Sequence, residues 1–148
     1  EIEEAYTQID DEFIACTKKS AANITAFHAK QLHNSWFDPK PDGTILGMKI
    51  LPIEKAGVYV PGGKAAYPSS VLMNVLPAKV AGVKKIVMTT PAGADGKVNP
   101  GTLVAADIAG VDEIYKVGGA QAIAALSSMN LDLIYPFSVI LKFGSNAM

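Results

Sequence analysis

A glycine-rich loop at residues 57–65 is the first segment whose residue types could do chemistry. A predicted strand at 58–60 runs into Pro61-Gly62-Gly63, and adjacent glycines let backbone amides approach a ligand closely. The loop is not a Walker A motif, because Lys64 is followed by Ala65 and the hydroxyl that would hold Mg²⁺ is missing. The dinucleotide fingerprint G-x-G-x-x-G occurs nowhere in the chain. The loop alone is therefore compatible with ligand binding and equally with an ordinary structural turn.

A second glycine turn, Gly118-Gly119, precedes Gln121 at the start of a predicted helix. Because a predicted strand ends at Val117, this helix N-terminus should lie at the carboxyl edge of a parallel sheet. Ligands bind at that edge in open α/β sheets. The amide of Gln121 suits a hydrogen bond to a neutral polar group, although it is also an ordinary residue for a helix start. The residues by themselves leave both interpretations open.

Cys16, His28 and His33 are the residues that could ligate a metal or act as a nucleophile. The histidines lie about 140° apart around a helix, at roughly 100° per residue, so they cannot share a metal from one face. We expect His28 to be partly buried beside Phe27 on the packing side and His33 to face solvent. Cys16 is predicted to be a small buried side chain and not a nucleophile. A zinc site built from this chain alone is therefore not expected.

The composition excludes several classes of function. The chain has 148 residues, 49% of them hydrophobic, and its 13 basic and 14 acidic residues give a net charge of −1. This balance leaves no electrostatic footprint for nucleic acid. A single cysteine excludes an intramolecular disulfide and favours a reducing cytoplasm. We expect no membrane partner either, since no apolar run is long enough to span a bilayer and no secretory leader precedes the first segment.

The N-terminal third is predicted to be helical, with a hairpin after it. Apolar residues recur there at steps of three and four, which places them on one helix face. The first stripe consists of Ile2, Tyr6, Ile9, Phe13 and Cys16, and the second of Ile24, Phe27 and Leu32. Periodicity does not decide whether residues 17–23 continue one helix or join two. The Pro/Asp/Gly cluster at 38–43, between Trp36-Phe37 and the alternating segment 44–50, predicts a hairpin.

From residue 58 onwards, short apolar runs alternate with helical patterns, which predicts βαβ units and a parallel sheet. The predicted strands are 58–60, 86–90 and 113–117, and the predicted helices are 71–81, 100–109 and one that starts at 120. Predicted N-caps are Ser69 or Ser70 for the first helix and Asn99 for the second, with Gly82 and Gly110 as stops. The apolar segment 131–143 is predicted to be a buried strand that needs cover on both faces.

Several long motifs, in the expected order, resemble the NAD-binding region of histidinol dehydrogenase. They occupy residues 51–63, 66–73, 77–83 and 117–126, and the segment 23–28 with Gln31 and Trp36 is similar to the N-terminal part of that family. The resemblance implies an α/β, aldehyde dehydrogenase-like fold: N-terminal helices and a hairpin, then a Rossmann-like parallel βαβ domain. It divides the chain into residues 1–50, an NAD-binding region at 51–126, and a divergent apolar tail at 127–148 whose last four residues resemble a tag remnant.

The resemblance also implies a function for the complete protein. That function is a cytoplasmic, zinc-dependent, homodimeric enzyme that oxidises L-histidinol through histidinal to L-histidine, with two NAD⁺. By position, Tyr59 and Gln121 match the family's NAD contacts, and Asn146 is the candidate for a third contact in a motif that is damaged here. The zinc ligands and the acid/base pair of the family fall beyond this chain, so the chain is expected to be an inactive cofactor-binding fragment. The alternative is a non-catalytic nucleotide-binding or assembly module on the same fold.

Overall fold

The computed structural model describes residues 1–62, 66–129, 132–134 and 140–141. The helices are α1 (Ile2–Thr7), α2 (Asp11–Ala29), α3 (Pro68–Val80), α4 (Pro100–Ala109) and α5 (Gly119–Ser128). The strands are β1 (Trp36–Pro39), β2 (Ile45–Met48), β3 (Lys55–Tyr59), β4 (Lys85–Thr89), β5 (Glu113–Tyr115), β6 (Asp132–Ile134) and β7 (Ile140–Leu141). Among the helices that the structure describes, none combines the length and the apolar character needed to cross a membrane.

The first N-terminal stripe lies on two helices, because α1 ends at Thr7 and α2 begins at Asp11. Asp10 caps α2, its carboxylate accepting a hydrogen bond of 2.6 Å from the amide of Phe13. Residues 17–23, for which periodicity did not distinguish one helix from two, form a continuous part of α2. The break changes the phase of the stripe, so the predicted burial of Cys16 is wrong and its side chain is exposed. The placement of Phe27 on a packing face is also wrong, since it is 62% exposed.

The predicted hairpin is confirmed. Strands β1 and β2 pair antiparallel, from Trp36 opposite Met48 to Pro39 opposite Ile45. In the turn the amide of Lys40 donates to the carbonyl of Thr44 at 2.7 Å. Every residue of both strands is exposed, although most are apolar.

The predicted parallel βαβ arrangement is confirmed as well. Strand order in the second sheet is β5-β4-β3-β6-β7; the first four strands are parallel and β7 is antiparallel to β6. The chain therefore starts in the middle at β3, moves outward to β5, and returns to the other side of β3 at β6. Right-handed crossovers then place α3 and α4 on one face of the sheet and α5 on the other.

Both faces of the central strands are buried. Adjacent residues of a strand point to opposite faces, and in β4 Ile86 packs in the core with α3 and α4 while Val87 packs against Leu126 of α5. Helix α2 adds Ala21 to the first of these cores, and α1 packs on α4 through Ala5. The N-terminal helices therefore pack against the helices α3 and α4, which cover one face of the sheet.

The helix ends test the predicted caps. Asn99 caps α4 as predicted, its side chain accepting hydrogen bonds from the amides of Gly101 and Thr102. Gly110 and Gly82 adopt φ of 79° and 90°, as expected for residues that end helices. Ser69 and Ser70 are not N-caps: α3 already begins at Pro68, a residue whose fixed φ suits the first helical turn.

Segment 131–143 is only partly described. Its residues 132–134 form β6, which pairs with β3 in parallel, and 140–141 form β7. The prediction of a single strand over 131–143 is wrong, because β6 and β7 are two strands that pair antiparallel with each other. The other residues of this segment lie outside the described residues, as does Asn146.

Candidate functional site

The carboxyl ends of β3, β4 and β5 lie level with one another, and they form the edge where the site is built. The amide of Val60 donates to the carbonyl of Thr89 at 2.9 Å, and the amide of Thr90 donates to that of Tyr115 at 3.1 Å. These hydrogen bonds fix the residues directly after each strand. Successive strands are added on one side of β3 as far as β5, and the next strand, β6, is added on its other side. Open α/β sheets bind ligands at such a reversal of strand order.

Tyr59 and Gln121 meet at this edge through Gly119. The amide of Gly119 donates to the hydroxyl oxygen of Tyr59 at 3.3 Å, across 60 positions of sequence. A β-carbon on Gly119 would lie only 2.7 Å from Oε1 of Gln121, so the carboxamide of Gln121 folds back over this glycine. The end of β3 and the start of α5 are therefore joined where the sequence placed two separate candidate residues.

The start of α5 has no side-chain cap from its own N-cap residue, and the amide of Gly119 is paired with Tyr59. The N-cap is Gly118, which has no side chain with which to cap the first amides. Gly119 adopts φ of 73°, a left-handed conformation that side chains with a β-carbon rarely adopt. Backbone amides at a helix N-terminus attract anionic or polar groups. The site therefore offers a phenol, a carboxamide and backbone amides, which suit binding rather than acid–base chemistry.

Thr89 contributes a buried hydroxyl that sequence reasoning missed. It lies in register between Tyr59 and Tyr115, so the three side chains share the α5 face of the sheet. The residue is 2% exposed, and among the described residues its Oγ1 has no hydrogen-bond partner. Two threonines at the end of an otherwise apolar strand were the signal that could have identified it.

The charged groups along β4 and β5 pair with one another. The hydroxyl of Tyr115 donates to Glu113 at 2.9 Å, and this hydrogen bond and the nearby negative charge raise the pKa of Tyr115. Glu113 is also paired with Lys85, whose hydrogen bond is the largest influence that lowers the pKa of the carboxyl. Tyr115 therefore remains neutral near pH 7, and Glu113 carries a cationic partner.

A cleft of about 270 Å³ opens next to the same edge, between α1, α4 and the loop after β4. Two of its acidic groups form ion pairs: Glu1 with Lys116 at 2.8 Å and Glu4 with Lys97 at 2.6 Å. Neither Tyr59 nor Gln121 is among its described lining residues. The cleft therefore adjoins the site at the start of α5, since Gly62 and Pro91 line it, but the side chains of Tyr59 and Gln121 lie outside it.

The residues considered for metal or covalent chemistry lie away from this edge. His28 is half-buried, as predicted, and its Nδ1 lies 2.7 Å from Oε1 of Gln31. His33 is exposed, also as predicted. Within the described part of the chain, His, Cys, Asp and Glu side chains form no group of three or more that could hold a metal ion.

Comparison with known proteins gives a consistent result. The sequence model described as histidinol dehydrogenase matches residues 1–140, beyond residue 126 where the motif resemblance ended. Histidinol dehydrogenases of Heliobacterium mobile and Bacillus subtilis (strain 168) are 59% and 57% identical over 127 residues, which are 86% of this chain and 30% of each relative. The solved histidinol dehydrogenase from Elizabethkingia anophelis superposes with a TM-score of 0.80 at 40% identity, covering 85% of this chain and 29% of that one. The chain thus spans about 30% of the length of the relatives that it matches.

Proposed function

Because the chain belongs to the histidinol dehydrogenase family, we propose that it forms the NAD-binding part of an enzyme that oxidises L-histidinol. In the complete protein the reaction passes through histidinal to L-histidine and uses two NAD⁺. Within this chain, Tyr59 and Gln121 contact the dinucleotide. Family membership also supports a cytoplasmic homodimer as the complete protein.

The observation that carries this proposal is the convergence of Tyr59 and Gln121 on Gly119. A hydrogen bond of 3.3 Å links Gly119 to Tyr59, and Gln121 lies against the same glycine. Two residues that matched family NAD contacts by sequence alone are thereby neighbours at the carboxyl edge of a parallel sheet, next to a reversal of strand order.

The residues at this edge fit a dinucleotide. Amides at the N-terminus of α5 suit the pyrophosphate, as at other phosphate-binding helix starts. The hydroxyl of Tyr59 and the carboxamide of Gln121 can each donate and accept hydrogen bonds, so they suit the hydroxyl groups of ribose, the carboxamide of nicotinamide and the polar groups of adenine. NAD⁺ bound here would accept the hydride that leaves the alcohol carbon of the substrate.

This chain positions the cofactor, and the remainder of the complete protein carries the rest of the chemistry. Its two histidines lie away from the edge, and we expect the family's zinc ligands and acid/base pair on the part of the protein that this chain does not span. Tyr59 and Gln121 orient the dinucleotide and move no proton. We therefore propose that the 148-residue chain alone is inactive.

Turnover measurements test whether this chain alone is catalytically inactive. The purified chain, mixed with L-histidinol, NAD⁺ and Zn²⁺, should produce no NADH, as followed by its absorbance. A complete family enzyme assayed alongside is the positive control. Steady NADH production by the 148-residue chain would contradict the proposal.

Binding measurements test the assigned residues. In a complete enzyme carrying this segment, Tyr59→Ala and Gln121→Ala should each raise the Kd for NAD⁺ by about tenfold, the equivalent of one good hydrogen bond. Gln8→Ala, at the exposed C-cap position of α1, is the matched control for Gln121. Unchanged affinity in calorimetry for both variants would remove the assignment.

A further inference from the structure

Pro91, the second residue after β4, lies between the two glycine turns of the proposed site. A β-carbon on Gly118 would lie 2.6 Å from Cβ and 3.1 Å from Cγ of Pro91. A β-carbon on Gly62 would lie 2.9 Å from Cγ of Pro91 and 3.0 Å from its carbonyl oxygen. The same proline therefore contacts the turn after β3 on one side and the turn before α5 on the other.

Neither of these glycines is required by backbone conformation. Gly118 has φ of −126° and ψ of 178°, an extended conformation that any residue adopts. Gly62 is likewise not among the glycines with positive φ. Gly119, with φ of 73°, is the contrasting case next to them. What excludes a side chain at Gly62 and at Gly118 is the space that Pro91 occupies.

Pro91 is also fixed through the hydrogen bond of the residue before it. The amide of the preceding Thr90 donates to the carbonyl of Tyr115 at 3.1 Å, which continues the pairing of β4 with β5 by one residue. Proline has no amide hydrogen and cannot extend this pairing further. The ring is thus fixed at the end of the middle strand, with a restricted φ and little conformational freedom.

We propose that Pro91 is a positioning residue of the NAD site: its ring sets the spacing between the turn that follows Tyr59 and the turn that carries Gly119 and Gln121. This inference rests on the proposed function, since it concerns how the same site is held. Close packing of the three loops preorganises the hydrogen bond between Gly119 and Tyr59 before the dinucleotide arrives. Pro91 itself need not touch the dinucleotide.

A double-mutant cycle on the 148-residue chain tests this role, with the Kd for NAD⁺ measured by calorimetry. Gly118→Ala should raise the Kd about tenfold, because the new methyl group displaces the turn from Pro91. Pro91→Gly should raise it about fivefold through loss of preorganisation. In the Pro91→Gly background, Gly118→Ala should have almost no further effect, because the obstructing ring is gone.

Two further variants keep the result interpretable. Gly62→Ala applies the cycle to the other turn and replaces Gly118→Ala if that variant does not fold, as judged by thermal unfolding. Here Pro91→Gly should relieve only part of the effect, because the carbonyl oxygen of residue 91 also lies 3.0 Å from the position of the new β-carbon. Pro39→Gly removes a proline ring from the exposed hairpin and should leave the Kd unchanged, which controls for backbone flexibility alone.

The outcomes separate the two hypotheses. Suppose that the unaltered chain binds NAD⁺ and that Gly118→Ala raises the Kd by the same factor with and without the Pro91 ring. The positioning role is then wrong, while the proposed function stands. The same holds if Pro91→Gly leaves the Kd unchanged. If the unaltered chain does not bind NAD⁺ at all, the proposed function is overturned and the role of Pro91 with it.

Discussion

The five-stranded sheet and the two-stranded hairpin are built from similarly apolar strands but differ in what covers them. In β4, Ile86 is 0% exposed, because α3 and α4 cover one face of the sheet and α5 covers the other. In β2, Ile45 is 66% exposed, and Trp36 and Phe37 of β1 are 54% and 61% exposed. A short apolar run at β4 and apolar alternation in the hairpin therefore both predict strands, but the pattern does not show which strands are covered.

The difference has an energetic meaning. Covering both faces removes apolar area from water, which stabilises the folded state by about 25 cal/mol for each Å² buried. A hairpin with both faces in solvent gains little from its apolar side chains, and isolated two-stranded hairpins are marginally stable in water. We therefore expect the free energy of unfolding to depend on the parallel sheet and to be nearly independent of the hairpin's apolar side chains.

A pair of matched isoleucine substitutions tests this expectation and should give the largest effect. Ile86→Ala should lower the free energy of unfolding by about 2–5 kcal/mol, through lost burial and the cavity that remains. Ile45→Ala should change it by less than about 0.5 kcal/mol, as is usual for exposed positions. Urea denaturation followed by circular dichroism measures both. Equal losses would show that the hairpin is covered in solution.

A matched pair of glycines compares the same regions at their turns. Gly119 and Gly43 have φ of 73° and 87°, so alanine at either position should cost about 1–2 kcal/mol of backbone strain. A β-carbon on Gly43 would meet nothing within 4 Å, whereas one on Gly119 would collide with Gln121. Gly119→Ala should therefore also weaken NAD⁺ binding, and Gly43→Ala should not. Equal NAD⁺ affinities for the two variants in calorimetry would contradict the placement of the site.

Thr89→Val is expected to stabilise the chain, by about 1 kcal/mol, because it replaces a buried hydroxyl that lacks a partner with a methyl group of similar size. Thr25→Val, at an exposed position on α2, is the control and should stay within about 0.5 kcal/mol. Thermal unfolding measures both. Destabilisation by Thr89→Val would indicate that the hydroxyl forms a hydrogen bond in solution.

The smallest expected effect is on the acid side of the stability profile. Desolvation alone would raise the pKa of Asp112, but the amide of Ile86 and the ammonium of Lys79 outweigh it and lower the pKa below the ordinary value of 3.8. Because the folded-state pKa is the lower one, this stabilisation is present above about pH 4 and is lost as the pH falls through the folded-state pKa. Asp112→Asn should flatten the decline in stability below about pH 4. An unchanged slope in urea denaturation across this range would contradict the linkage.

Local sequence signals predicted the parts of the fold whose causes are local. Asn99 and Gly110 begin and end α4 as predicted, because a side-chain cap and a left-handed glycine act within one turn of helix. Cys16 was predicted wrongly because the cap at Asp10 starts a new helix, and this shifts the phase of a stripe that was assumed to be continuous. Periodicity carries no information about such a shift unless the cap is recognised first.

The site was less accessible to sequence reasoning because its contacts are long-range. The pairing of Tyr59 with Gly119 depends on strand order, which the alternation of strands and helices does not specify. Pro91 had no signal of its own, since its role follows from where two distant glycines lie. Resemblance to a family suggested Tyr59 and Gln121, whereas their environment required the folded chain.

Hydrogen–deuterium exchange of the 148-residue chain, with and without NAD⁺, tests the central claim most directly. If the carboxyl edge of the parallel sheet binds the dinucleotide, NAD⁺ should slow exchange at residues 59–62 and 118–122. Residues 36–48 of the hairpin should exchange at the same rate in both samples. Absence of protection at saturating NAD⁺, or protection confined to the hairpin, would contradict the assignment of this chain as a cofactor-binding unit.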